Sequence, residues 1–191
     1  MTPLGAAPEK AVWRKRLVRA RSELSSEVRA AEAQALADAA LAVGWPGATV
    51  CAYVPVGTEP GSPALLDALR AAGRRVLLPI VTGHEPLDWG VFFGTEHLVA
   101  GPYGLREPSG LRLGPGAVAN ADAVLVPALA VDRQGVRLGR GAGHYDRSMG
   151  KVTGPRIAVV RAEEFVDRLP AEPHDVLMTA VLTPTGGLVR L

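Results

Sequence analysis

The fold of this chain is indicated by residues 122–147, whose sequence is DAVLVPALAVDRQGVRLGRGAGHYDR. Residues 122–131 are nearly all apolar and rich in valine, so they predict a buried strand. Residues 132–135 predict a turn. A glycine-rich loop follows, and a short helix is expected near His144. A ligand loop beyond the carboxyl end of a buried strand is typical of open α/β sheets.

Helices and strands alternate along the rest of the chain, which predicts a mostly parallel α/β sheet. Helices are expected at residues 8–23, 26–43 and 64–72, and strands at residues 49–54, 75–81, 87–93, 157–160 and 180–182. The last of these strands is expected at the edge of the sheet. In the first helix, the buried stripe is expected to contain Trp13, Leu17, Ala20 and Leu24, which recur at helical spacing.

Composition excludes several classes of protein. The chain has 191 residues, of which 48% are hydrophobic, and we expect one domain spanning residues 1–191. No apolar run is long enough to span a bilayer, so no membrane partner is expected. The single cysteine, Cys51, cannot form a disulfide within the chain, which favours a cytoplasmic protein. The net charge of +2 is too balanced to indicate nucleic-acid binding.

The glycine loop has the composition of a phosphate site. Glycine at positions 139, 141 and 143 allows the backbone N–H groups to converge on an anion. Arg137 and Arg140 add donors that suit phosphate oxygens, and Asp146 is a hard oxygen ligand of the kind that Mg²⁺ prefers. The spacing matches neither a Walker A loop nor a dinucleotide fingerprint. The loop therefore predicts phosphoryl transfer at an unusual nucleotide site.

Residues 126–147 closely resemble the signature of the 5-formyltetrahydrofolate cyclo-ligase family, from Pro127 through Asp132 and Gly135 to Arg147. Residues 101–108 and 170–175 resemble two further elements of that family, although His144 stands where many relatives have tyrosine. The resemblance implies a three-layer αβα sandwich. It also implies conversion of 5-formyltetrahydrofolate to 5,10-methenyltetrahydrofolate, with ATP as co-substrate, Mg²⁺ as cofactor, and release of ADP and phosphate.

The resemblance also implies a set of site residues. The ATP site would comprise Lys10, Arg14, Arg137, Leu138, Gly139, Arg140, Gly141, Ala142, Gly143, His144 and Tyr145. The folate site would comprise Val54, Glu59, Arg140, Gly141, Ala142, Gly143 and His144. Asp146 and Asp175 would bind Mg²⁺, and Arg140 and Tyr145 would be catalytic.

Each assignment has a simpler alternative in the residues themselves. Lys10 and Arg14 lie four positions apart and would also suit a solvated basic helix face. Val54 would look the same as a core valine, and Glu59 the same as an exposed loop acid. The resemblance favours the functional interpretation of Lys10, Arg14 and Glu59, and it matches Val54 to a position that lines the folate pocket.

Two other functions remain open from the sequence. A diverged, non-catalytic nucleotide- or RNA-binding member of the fold would use the basic first helix and the glycine loop, although aromatic residues make up only 5%. A sugar-phosphate isomerase or acyl-CoA enzyme on a similar sheet would not need ATP, so an ATP-binding test separates it. We expect small-molecule partners only, reduced folate and ATP, and a monomer.

Overall fold

A computed structural model describes residues 6–45 and 47–191. Its α-helices are α1 (Ala6–Ser22), α2 (Ser26–Ala42), α3 (Pro63–Ala71) and α4 (His144–Ser148). Its strands are β1 (Thr49–Cys51), β2 (Arg75–Ile80), β3 (Asp88–Val91), β4 (Leu98–Ala100), β5 (Arg106–Pro108), β6 (Ala123–Pro127), β7 (Ala130–Asp132), β8 (Arg137–Leu138), β9 (Arg156–Val159), β10 (Phe165–Val166), β11 (Ala180–Thr183) and β12 (Gly187–Arg190).

The central sheet has seven strands in the order β12-β11-β9-β6-β1-β2-β3. The five inner strands are parallel, whereas β12 and β3 run antiparallel at the two edges. A small sheet has the order β10-β7-β8, and β4 pairs with β5 in a separate hairpin. The predicted α/β class with a mostly parallel central sheet is therefore confirmed.

The alternation of side chains along the strands divides the core between the two faces of the sheet. In β6, for example, Ala123 and Leu125 face a cluster that includes residues of α2 and α3. Val124 and Val126 face a second cluster, which contains Met149 at the end of α4 and Val131 of the small sheet. Because both faces are covered, the inner strands are mostly apolar, and their charged residues, Arg75 and Arg156, lie at the first positions of β2 and β9. No helix within the described residues is both long and apolar enough to cross a bilayer.

Residues 122–131 do not form the single strand that the sequence predicts. They form β6 in the central sheet and β7 in the small sheet, and the chain leaves the first sheet at Ala128 and Leu129. Both strands are buried, so the apolar run continues through the break. The carbonyl oxygen of Ala128 accepts a hydrogen bond of 2.7 Å from the Arg21 guanidinium, which satisfies a group that the sheet leaves unpaired.

The turn at residues 132–135 and the short helix near His144 are confirmed. The buried Asp132 carboxylate stabilises the turn, because Oδ1 accepts hydrogen bonds of 2.9 Å from the backbone N–H groups of Gln134 and Val136. Its other oxygen, Oδ2, accepts one from the N–H of Leu169. Asp132 thereby fixes the start of the glycine loop.

Two other expectations are wrong. Residues 180–182 lie inside the sheet, because β12 forms the edge beyond them. The buried stripe of α1 consists of Lys10, Leu17 and Arg21, whereas Ala20 is exposed. Trp13 is partly buried and Leu24 is of intermediate exposure. Two cations are thus buried on a helix face for which an apolar stripe was predicted.

Candidate active site

A cavity of about 440 Å³ lies where β1, β2 and β6 end. This is the carboxyl edge of the parallel strands, where open α/β sheets bind ligands. The residues that the sequence predicts for the site all line this one cavity. They are Lys10, Arg14, Val54, Glu59, Arg137, Leu138, Gly139, Arg140, Gly141, Ala142, Gly143, His144, Tyr145, Asp146 and Asp175.

Helix α1 delivers a buried ammonium group to the cavity. Lys10 is only 5% exposed, and its Nζ lies 2.7 Å from Glu172 Oε2 and 2.7 Å from Asp175 Oδ2. Burial acts to lower the pKa of Lys10, but the hydrogen bonds to Asp175 and Glu172 outweigh it and raise the pKa. Burial likewise opposes the charge on Asp175, whose pKa is nevertheless lowered by Lys10 and by the backbone N–H of Glu172. Both groups are therefore charged at neutral pH.

The glycine loop lies directly against α1. Arg14 Nε donates a hydrogen bond of 2.9 Å to the carbonyl oxygen of Gly139. Gly141 has a φ of +106°, a backbone conformation that residues other than glycine rarely adopt. A Cβ at Gly141 would also lie 3.5 Å from Arg14 Cζ. Glycine at this position allows the loop to turn its backbone toward the cavity beneath the helix.

An ion pair in which one guanidinium nitrogen contacts both carboxylate oxygens links the two ends of the glycine loop. Arg137 Nη2 donates hydrogen bonds of 2.9 and 3.1 Å to the two carboxylate oxygens of Asp146. The Arg137 guanidinium also lies 5.7 Å from the centre of the Tyr145 ring, within reach of a cation–π interaction. Its Nε is buried and has no hydrogen-bond partner among the described residues. Burial raises the pKa of Tyr145, so its phenol stays protonated.

Arg140 reaches across the cavity to the loop that follows β1. Its Nε lies 3.1 Å from Glu59 Oε1. The second oxygen of Glu59, Oε2, accepts a hydrogen bond of 3.0 Å from the N–H of Val56. Glu59 is therefore not the freely exposed loop acid that was one interpretation of its sequence position.

The wall of the cavity also includes Arg21, which the sequence did not single out, and Tyr103, which belongs to the element at residues 101–108. Arg21 is 1% exposed and binds Glu164 through hydrogen bonds of 2.6 and 2.7 Å. Its spacing from Lys10 and Leu17 places it on the same face of α1, a signal that the sequence carries. Tyr103 is 80% exposed at the tip of the β4–β5 hairpin, with a φ of +57°. No sequence pattern predicts the positive φ of Tyr103.

The acidic residues of the cavity fit a hard cation. Asp146 and Asp175 are each paired with one cation, so their carboxylates keep oxygen lone pairs for a metal ion. Among the described residues, Glu172, His174 and Asp175 form a group whose potential ligand atoms lie within 4.8 Å of one another. Two carboxylates on the wall of one cavity suit Mg²⁺, which is usually bound through one or two carboxylates together with substrate phosphates.

Comparison with known proteins gives a consistent result. The model of the 5-formyltetrahydrofolate cyclo-ligase family matches residues 6–184. The chain is 50% identical over 190 residues to the 5-formyltetrahydrofolate cyclo-ligase of Mycolicibacterium smegmatis, covering 95% of this chain and 97% of that protein. It is 30% identical over 146 residues to the enzyme of the same name from Escherichia coli K12, covering 72% and 78%.

Solved structures agree with this assignment. The NMR structure of Aquifex aeolicus 5,10-methenyltetrahydrofolate synthetase superimposes with a TM-score of 0.81 at 27% identity, covering 95% of this chain and 92% of that one. A 5,10-methenyltetrahydrofolate synthetase from Mycoplasma pneumoniae shares the fold, with a TM-score of 0.71 at 21% identity over 91% of this chain and 97% of that one. The chain therefore belongs to the 5-formyltetrahydrofolate cyclo-ligase family.

Proposed function

We propose that this protein converts 5-formyltetrahydrofolate to 5,10-methenyltetrahydrofolate at the expense of ATP. The observation that carries the proposal is the convergence of four chain segments on one cavity. Helix α1 supplies cations, and the loop after β1 supplies an acid beside an apolar wall. The glycine loop supplies backbone N–H groups, and residues 172–175 supply carboxylates. These are the groups that a phosphate chain, a reduced pterin and a divalent cation require.

The reaction needs activation because a formyl amide oxygen is a poor leaving group. The formyl oxygen attacks the γ-phosphorus of ATP, and the bond from that phosphorus to ADP breaks. The neighbouring folate nitrogen then adds to the activated carbon, loses its proton, and the ring closes as phosphate departs with the electron pair of the carbon–oxygen bond. Such a reaction depends on positioning and charge stabilisation more than on a protein nucleophile.

The phosphate chain would bind between α1 and the glycine loop. Lys10 and Arg14 contribute charge from the helix, and Arg137 contributes it from the loop, whose backbone donors lie at residues 139–143. The Nε of Arg137, which has no hydrogen-bond partner in the part of the chain that the structure describes, is a donor that an anionic oxygen would satisfy. Arg140 would stabilise the phosphoryl group during its transfer.

The reduced folate would lie on the opposite wall. Glu59 is largely shielded from solvent, and its carboxylate would accept hydrogen bonds from the N–H groups of the pterin. Val54 supplies apolar surface, and His144 and Tyr145 border the same space. The protonated phenol of Tyr145 makes it a hydrogen-bond donor beside the reacting groups rather than a base.

Asp146 and Asp175 would hold the Mg²⁺ ion. When bound, this ion neutralises charge on the phosphate oxygens and helps to align them. The carboxylates would then share their oxygens between the ion and the cations Arg137 and Lys10. That arrangement keeps opposite charges interleaved through the cavity.

The position of the basic residues favours this function over RNA binding. Lys10 is buried and held by two carboxylates, whereas a nucleic-acid surface requires accessible cations. We further propose that residues 1–191 act as one catalytic domain in a monomer, because the described residues of a single chain line the cavity. The single cysteine, Cys51, which is buried and free, favours a cytoplasmic location. Light scattering after size-exclusion chromatography tests the monomer directly.

The central experiment follows near-ultraviolet absorbance during incubation with 5-formyltetrahydrofolate, Mg²⁺ and ATP. The methenyl product's band should grow, should be absent without ATP and should be lost in Asp146→Ala. Asp167→Ala is the matched control, because the side chain of Asp167 is 93% exposed and does not line the cavity. A folded wild-type protein that binds ATP but forms no band would instead indicate a diverged family member.

A further inference from the structure

An ion pair joins the two walls that carry the proposed substrate sites. Glu59 lies on the loop after β1, and Arg140 lies on the glycine loop after β8. One oxygen of Glu59 is held by its own loop, through the N–H of Val56. The other oxygen, Oε1, is the one that Arg140 holds across the cavity, at 3.1 Å.

Each partner of this pair has a second task under the proposed function. Glu59 is to accept hydrogen bonds from the pterin N–H groups, and Arg140 is to donate to the transferred phosphoryl group. A pterin N–H that binds Oε1 competes with Arg140 for that oxygen. A phosphate oxygen that binds Arg140 likewise competes with Glu59 for the guanidinium. Either substrate therefore weakens the ion pair between the two side chains.

We propose that the Glu59–Arg140 ion pair couples the binding of the two substrates, an inference that rests on the proposed function. A substrate that binds alone must weaken the pair, whereas the second substrate binds after the pair has already been weakened. The free energy of the pair is therefore lost once rather than twice, so each substrate strengthens the binding of the other. Linkage requires the strengthening to be equal in both directions.

The exposure of the two side chains sets the size of the effect. Glu59 is 14% exposed and Arg140 is 54% exposed, so solvent screens the pair substantially. We expect a coupling of about two- to fivefold in dissociation constant, which corresponds to about 0.4–1 kcal/mol at about 1.4 kcal/mol per tenfold change.

The test measures the affinity of adenylyl imidodiphosphate with Mg²⁺ by titration calorimetry, with and without saturating 5-formyltetrahydrofolate. The four proteins are the wild type, Arg140→Gln, Glu59→Gln and the double variant. For each protein, the dissociation constant measured without folate is divided by the one measured with saturating folate. This ratio should be about two- to fivefold larger in the wild type than in each variant. The double variant should lose no more coupling than either single variant. Direct contact between the bound substrates contributes to the ratio in all four proteins, so the comparison isolates the pair.

Arg133→Gln is the matched control, because Arg133 forms an ion pair with Asp167 at 3.0 Å outside the cavity. Its ratio should equal that of the wild type. Equal ratios in the wild type, Arg140→Gln and Glu59→Gln, with methenyl formation intact in the wild type, would overturn the coupling alone. A wild type that does not bind the folate would overturn the proposed function and the coupling together.

Discussion

Replacement of Arg21 by methionine should destabilise the protein severely, although the hydrogen bonds of Arg21 within the described residues go to Glu164 and Ala128 and not to the glycine loop. Arg21 is 1% exposed, and its guanidinium donates hydrogen bonds of 2.6 and 2.7 Å to the two oxygens of Glu164. A third, of 2.7 Å, goes to the carbonyl oxygen of Ala128. Methionine fills much of the same volume but leaves the carboxylate of Glu164 buried beside an unpaired carbonyl.

Removing one partner of a buried ion pair costs about 3–5 kcal/mol, because the other charge stays buried. In a domain of this size that loss lowers the melting temperature by roughly 6–20 °C. Urea unfolding followed by circular dichroism measures it as a lower midpoint. Arg19→Met is the matched control on the same helix, because the Arg19–Glu23 pair is largely exposed and should contribute no more than about 0.5 kcal/mol.

The double variant Arg21→Met, Glu164→Leu provides the decisive comparison. It removes both charges, so it should recover a large part of the stability that Arg21→Met loses. If Arg21→Met loses less than about 1 kcal/mol, or if the double variant is less stable than the single one, the burial argument is wrong.

Three further predictions concern single residues. Burial raises the pKa of the Cys51 thiol to about 12. A thiol-specific disulfide reagent at a pH of about 8 should therefore label Cys51 only after unfolding, and rapid labelling of the native protein would contradict this. Ser25→Ala removes the side chain that caps α2 and should lower the unfolding free energy by about 0.5–2 kcal/mol, measured by urea titration. The hydrogen bond from Ser25 is also the largest cause of the lowered pKa of Glu27. Because the folded pKa lies below the ordinary value of 4.5, Glu27 contributes to stability above that value, and the contribution is lost as falling pH protonates the carboxylate of the folded protein. In Ser25→Ala the Glu27 pKa, followed by NMR, should therefore move up toward that value. Gly141→Ala should weaken nucleotide binding about tenfold, because alanine is strained at the positive φ of this position. Gly150→Ala is the control and should bind nucleotide like the wild type, because nothing lies within 4 Å of the added carbon. Equal calorimetric affinities of the two variants would count against the strain argument.

Local chemistry made much of the fold predictable. The turn after Asp132 and the start of α4 follow from residue types that act within a few positions. The break between β6 and β7 was not predictable by the same means, because burial in either sheet gives the same apolar pattern. The carbonyl oxygen of Ala128 at this break is satisfied by Arg21, which lies 107 positions away in the sequence.

The candidate site shows the same division. The residues predicted for it line one cavity, although their individual roles stay predictions. Their partners could not be derived from the sequence: Lys10 is held by Glu172, and Arg140 by Glu59. Those pairs depend on distance in space, which spacing along the chain does not encode. The sequence alone also could not show whether Lys10 faces the cavity or solvent. Its orientation follows from the positions of Glu172 and Asp175, which hold its ammonium group.

The contacts of α1 have a consequence for the order of events during synthesis. Its three inward cations bind groups far along the chain: Lys10 binds Asp175, 165 positions later, Arg14 binds Gly139, 125 positions later, and Arg21 binds Glu164, 143 positions later. At ~5–20 residues per second, the helix leaves the ribosome roughly 8 to 30 s before its last partner. The contacts of Arg14 and Arg21 can form earlier in synthesis than that of Lys10, because their partners lie 125 and 143 positions later rather than 165. The complete wall of the cavity therefore cannot form before Asp175 has left the ribosome.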